Sequence, residues 1–142
     1  MLADGEIRIV LQRARTIAIV GMSANPNRDS YAVGRFLQRN GYQIVPVNPN
    51  LTAPVLGEQP YAALRDVPFH IDIVDIFRRS EFVPDVIEQA LAVRADVVWM
   101  QLGVIHQAAA KRAQAAGLGV VMDRCTAIEH RRLMRAPEGM MV

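Results

Sequence analysis

Short β-branched runs alternate with longer stretches in which apolar residues recur every three or four positions. That alternation predicts βαβ units and a parallel sheet. Thr16-Ile17-Ala18-Ile19-Val20 is an unbroken apolar run, as a strand covered on both faces requires. Ahead of it, Ile7, Val10 and Leu11 share one helical face within Glu6 to Arg13. A polar loop, Gly21 to Asp29, leads into a helix running to about Asn40. Val33, Phe36 and Leu37 face inward there, Asp29 or Ser30 serves as N-cap, and Gly41 stops the helix. Gln43 to Val47 is the second strand, and Pro46 within it predicts an irregular or weakly paired end.

The stretch from Asn48 to Pro68 is punctuated by proline and predicts a minor strand near Val55-Leu56 and a helical turn near Tyr61 to Leu64. His70 to Ile76 reads as a strand, with Pro84 in the first turn of the helix after it. Val97 to Gln101 is the next strand, and Ile105 to Ala116 an alanine-rich helix closed by Gly117. Gly119 to Met122 is the last strand, followed by a helix from about Thr126 to Met134. The tail, 135–142, reads as frayed, most clearly after Pro137. The expected architecture is a single α/β domain, a Rossmann-like doubly wound parallel sheet of five or six strands. Ligands of such sheets sit outside the carboxyl ends of the strands, where the strand order reverses. The segments to watch are therefore Gly21 to Arg28, Asn48 to Asn50, Ile76 to Arg79, Gln101 to Val104 and Asp123 to Cys125.

With 142 residues, 51% of them apolar and 21% charged, the chain suffices for one domain with a sizeable core. Its apolar runs fall far short of the roughly 20 residues of a membrane span. The start, Met1 to Glu6, lacks the basic and apolar regions of a signal peptide, so a cytoplasmic location is expected. A single cysteine, Cys125, excludes an internal disulfide or a cysteine-rich zinc site. The net charge of +2 gives no reason to expect nucleic acid as a partner. Lys111 is the only lysine, which leaves arginine forks and backbone N–H groups to hold any phosphate.

The loop after the first strand is where that chemistry concentrates. A strand ending in glycine and leading into a helix N-terminus favours an anion through its N–H groups and the helix dipole. Gly21 allows a sharp turn, Ser23 and Ser30 offer hydroxyls, and Arg28 adds a charged fork. An ordinary βα connection would use Gly21 for the turn and Ser30 for the cap alone. A G-x-G-x-x-G pattern is missing, since the next glycine is Gly34, inside the helix. The acidic residue that binds ribose hydroxyls at the end of strand two is missing as well; Asn48 stands there. Both departures point away from NAD. An amide at that place tolerates a ribose carrying a phosphate, as in coenzyme A.

Several segments in order, Ile19-Val20-Gly21-Met22-Ser23, Asn25 to Tyr31, Gly41-Tyr42 and Val45 to Pro49, resemble the CoA-binding domain family. This is the stand-alone group related to the CoA-binding domain of the succinyl-CoA synthetase α subunit. Val74 to Arg78, Val98 to Gly103 and Val121 to Cys125 extend the resemblance over roughly residues 10–134. The resemblance implies that Gly21, Ser23, Asn25, Arg28, Ser30 and Tyr31 surround the phosphates of coenzyme A. It implies that Val47, Asn48 and Pro49 lie against the adenosine, that Phe77 and Arg78 cover the pantetheine, and that Trp99 and Gln101 lie farther along the crevice. The synthetases also use a phosphohistidine in a second domain and an ATP-grasp partner. His70, His106 and His130 match no such loop, so binding is carried over and ligase chemistry is not.

The expected function is a non-catalytic module for coenzyme A or an acyl-CoA, with a homo-oligomer or a partner enzyme left open. One alternative is an enzyme acting on a CoA thioester or CoA disulfide through Cys125, set against simple packing of that residue under the last helix. Another is a protein binding NAD or another nucleotide. The histidines read as surface or helix-end residues without metal-ligand spacing. Asp72 and Asp75 fall on opposite faces of their strand, with Asp75 placed to hydrogen-bond loop backbone. Trp99 suits the core as well as a ligand wall, and Arg131 and Arg132 read as a solvated face.

Overall fold

Every residue of β1 (Thr16–Val20) is buried, and the other strands are laid out on either side of it. It pairs in parallel with β2 (Gln43–Val47) and β3 (Ile73–Ile76). Then β4 (Val97–Met100) and β5 (Gly119–Val121) complete the order β2-β1-β3-β4-β5. The computed structural model describes residues 1–134, so the predicted frayed tail lies outside the described residues. Five helices cover the sheet: α1 (Asp4–Arg13), α2 (Asp29–Arg39), α3 (Val83–Ala92), α4 (Gln107–Ala115) and α5 (Thr126–Met134).

Alternation along the strands splits the core in two. Ala18, Val20, Val74, Ile76, Val98 and Met100 point to one side, under α3 and α4. Ile17, Ile19, Ile73 and Trp99 point to the other, where Leu11 of α1, Leu37 of α2 and Leu133 of α5 meet them. Burial on both faces explains why the strands read as continuous apolar runs.

The range of five or six strands resolves to five, and Pro46 supplies the physical reason. Gln43 and Val47 direct their bonds toward β1, Gln43 N–H to the Arg15 carbonyl and the Val47 carbonyl to Gly21 N–H. Pro46 therefore faces the outer edge, where it cannot donate. A sixth strand shrinks there to a single bridge: Tyr61 N–H donates to the Pro46 carbonyl, and Asn48 N–H to the Tyr61 carbonyl. The bridge occupies the place where the dinucleotide-binding version of this sheet carries another full strand.

Other boundaries move for local reasons. The strand expected from His70 starts at Ile73, because the Asp72 side chain turns back to accept from Arg15 and Thr16 N–H at 2.8 and 2.9 Å. α4 starts at Gln107 instead of Ile105, since His106 is its N-cap and Nδ1 accepts from Ala109 N–H. The minor strand near Val55 is one antiparallel bridge to Glu58, and the helical turn falls at Leu64–Asp66. Neither Asp29 nor Ser30 caps α2; Arg28 stands at that position and makes no side-chain cap bond.

Candidate functional site

Past the carboxyl ends of the strands, the loops after β1 and β3 are pressed together. Gly21 has φ +88°, and a Cβ on it would lie 2.4 Å from the Phe77 carbonyl oxygen and 3.1 Å from Arg78 Cδ. Glycine is required there by this close approach as well as by the turn. Arg78 is in turn held over the Phe82 ring, its guanidinium carbon 4.4 Å from the centroid, a cation–π contact.

Two clefts flank this junction, one on each face of the sheet, and both include Phe77, Arg78 and Arg79 in their walls. The first, about 430 Å³, lies on the α3 side. Val47, Asn48, Pro49 and Asn50 form one wall, and Phe82 and Val86 the opposite one. The second, about 520 Å³, lies between α2 and α5, walled by Val33, Leu102, Val104 and Ile128. Gln101 and Cys125 close its inner end.

Much of the polar equipment of the β1–α2 loop is turned inward. Ser30 Oγ accepts from Ser23 N–H, Ser23 Oγ from Asn25 N–H, and Asn25 Oδ1 from Asn27 N–H. These bonds pre-form the loop and use up N–H groups expected to meet an anion. Ser30 itself is buried, and Tyr31 packs against the core beneath α2 and lines neither cleft. Arg28 stays exposed at the mouth of the loop. Asn48 lines the first cleft, but its amide ties two loops together: Nδ2 donates to the Met22 carbonyl, and Oδ1 accepts from Asn50 N–H.

Trp99 corrects the sequence reading. It is 0% exposed, and its indole N–H donates to the Arg124 carbonyl at 2.8 Å, so it lies in the core beneath the crevice and forms no part of its wall. Position decides this: Trp99 is inside β4, whereas Gln101, two residues on, emerges at the strand end.

Gln101 belongs to a buried triad that pattern alone did not reveal. Its Nε2 donates to Asp75 Oδ1 at 2.7 Å and to Thr126 Oγ1 at 2.8 Å, and Thr126 Oγ1 donates to Asp75 Oδ2 at 3.0 Å. Asp75 thus bonds side chains and not loop backbone. Burial, with no cationic partner among the described residues, pushes its carboxyl up to about 7, and the bonds from Gln101 and Thr126 pull the other way. The signal present in the sequence was a carboxylate inside an apolar strand.

The scattered histidines also find partners in space. His70 Nε2 lies 3.1 Å from Asp96 Oδ2 and 3.5 Å from Asp72 Oδ1, at the opposite end of the sheet from the crevice. The hydrogen bond to Asp96 holds the His70 imidazole above its ordinary range. His130 packs edge-on against Phe36 and Tyr42, and its burial lowers it. Arg132 is bound to Asp4 and Glu129, and Arg131 lies over Phe36, so this is a paired face and not simply a solvated one.

A family model described as a CoA binding domain matches residues 15–131, which takes in every strand and both clefts. The chain belongs to the CoA-binding domain family. The uncharacterized protein YneT of Bacillus subtilis (strain 168) is 40% identical over 128 residues, 90% of this chain and 94% of that one. A hypothetical protein from Pyrococcus horikoshii OT3 has the same architecture, with TM-score 0.90, 40% identity and 94% of each chain covered. A Thermus thermophilus protein is similar too, with TM-score 0.89, 38% identity, and 93% of this chain and 99% of that one covered. In this CoA-binding domain, no described helix is long and apolar enough to cross a membrane.

Proposed function

We propose that the crevice binds coenzyme A or an acyl-CoA, with the chain acting as a binding module. The observation that carries this reading is the pair of clefts meeting at Phe77 to Arg79, in a chain whose family is described by that ligand. A ligand with a nucleotide at one end and a flexible arm of methylenes and amides at the other can straddle the sheet edge, its pyrophosphate at the junction. Arg78, fixed over Phe82, and Arg28 at the loop mouth supply guanidinium forks for the phosphates, beside the uncapped N-terminus of α2. Gly21 and the Ser23–Asn25–Ser30 bonds act as the loop's scaffold. Val47, Asn48 and Pro49 form the nucleotide wall, and the apolar second cleft takes the arm. NAD fits poorly, because the end of β2 offers Asn48 in place of the carboxylate that binds its ribose hydroxyls. A cytoplasmic setting accords with an unpaired Cys125.

The test is calorimetry and thermal shift of the reduced protein with coenzyme A, acetyl-CoA, NAD and ATP. Selective stabilisation by the CoA compounds is expected, since a ligand that binds only the native state raises its stability by mass action. Stabilisation by NAD or ATP instead, or by none of the four, overturns the reading. Cys125 on the wall of the second cleft favours a second reading, thiol–disulfide exchange with a CoA disulfide. Cys125→Ser separates the two, because it blocks a mixed disulfide while changing a single atom of the cleft wall.

A further inference from the structure

The second cleft is apolar over most of its wall, and one buried polar side chain opens into it. Gln101 is 4% exposed. Both hydrogens of its Nε2 are consumed, one by Asp75 and one by Thr126. No described residue donates to its Oε1, and no buried side-chain oxygen or nitrogen of the described residues lacks a partner. Oε1 is therefore the part of Gln101 that meets the cleft.

The orientation of this amide is imposed from behind. An ionised Asp75 can only accept, so the Gln101 atom 2.7 Å from it must be the nitrogen. A protonated Asp75 is compatible with the same arrangement, Oδ2 donating to Thr126 Oγ1 while Oδ1 accepts from Gln101 Nε2. With Asp75 ionised, the cleft is offered an acceptor and no donor at this point. Leu102 and Ile128, beside it, are 60% and 49% exposed, so an apolar occupant has surface to cover.

We infer that Gln101 Oε1 is the acceptor for an amide N–H of the ligand's arm, with Asp75 and Thr126 as its positioning residues. This rests on the coenzyme A reading and deepens it: the second cleft selects an arm whose apolar stretches cover Leu102 and Ile128 and which carries a hydrogen-bond donor. The amide nearest the thiol of coenzyme A is such a donor. The thiol is a weak one, and an acyl group removes it altogether.

The test uses the native chain and changes the ligand, so folding is not at issue. Calorimetry compares coenzyme A, acetyl-CoA, an analogue whose amide nearest the thiol is an ester, and adenosine 3′,5′-bisphosphate, which has no arm. Replacing N–H by O leaves Gln101 facing a second acceptor, and a buried hydrogen bond of this kind is worth about tenfold in affinity. The expected result is that the ester analogue binds about tenfold more weakly than coenzyme A and acetyl-CoA binds about as tightly as coenzyme A. Gln101→Met should remove the amide–ester difference and leave the bisphosphate unaffected. Equal binding of ester and amide by the native chain overturns the inference while coenzyme A binding stands. A loss seen with acetyl-CoA but not with the ester makes the thiol the donor and overturns it equally. No binding of coenzyme A at all removes the underlying reading, and this inference with it.

Discussion

Asp75→Asn isolates the energetic consequence of burying a carboxyl among apolar strands. Asp75 is fully buried, and its carboxyl is raised from 3.8 to about 7, first through loss of hydration and against the pull of Gln101 and Thr126. A raised acid holds its proton more tightly in the folded chain than in the unfolded one. Between the two values unfolding releases a proton, so stability falls as pH rises through that window. The contribution is complete below about pH 4 and gone above about pH 7. A shift of that size at about 1.4 kcal/mol per unit gives about 4 kcal/mol in full, and about 3 kcal/mol between pH 4.5 and pH 8. Asparagine cannot ionise, and it places an amide against the Thr126 hydroxyl at a cost of about 1–3 kcal/mol that does not change with pH. Urea unfolding of both proteins from pH 4.5 to pH 8 reads the difference directly. His70 and His130 titrate in both proteins and cancel. The variant is expected to start less stable than the native chain and to gain about 3 kcal/mol on it by pH 8. Parallel stability curves would refute the argument, because they would mean that Asp75 ionises as freely in the folded chain as in the unfolded one.

Gly21→Ala sets a Cβ against the Phe77 carbonyl at a positive φ, and a loss of about 1–3 kcal/mol in urea unfolding is expected. Arg78→Ala removes the fork at the junction of the clefts and should weaken coenzyme A by about tenfold or more, read by calorimetry, with the melting temperature of the free protein little changed. Trp99→Phe loses the bond to the Arg124 carbonyl and should cost about 1 kcal/mol of stability without altering coenzyme A affinity. A large affinity loss in that last variant would return Trp99 to the binding wall.

The strands and most helices were legible because burial leaves a direct trace in sequence: β1 and β4 are apolar runs, and α2 repeats Val33, Phe36 and Leu37 at helical spacing. The crevice was legible for a related reason, since strand ends in a doubly wound sheet converge wherever the order reverses. What sequence could not show is how hydrogen bonds are apportioned. Ser23, Asn25 and Ser30 have the composition of a phosphate loop, yet their oxygens bind the loop's own N–H groups. Asp75, Gln101 and Thr126 are separated by 26 and 25 positions, and only the pairing of β3 with β4 and the return of α5 bring them together. The His70 cluster is hidden in the same way, since Asp96 reaches it from the far side of α3.

The triad also bears on how the second cleft keeps its shape. A lone glutamine on an apolar wall could turn either end outward, and a ligand would have to select one. Here Asp75 lies in the central part of the sheet, on a strand paired on both sides, so its backbone is held firmly and its carboxyl is held by Gln101 and Thr126. Thr126, in the first turn of α5, closes the triangle from the helix side. The orientation of Gln101 is thus fixed by two elements that the fold already holds rigid, and the ordering cost is met during folding and not on binding. Burying this carboxyl lowers stability near neutral pH, and a pre-set acceptor in the cleft is the arrangement that this burial maintains.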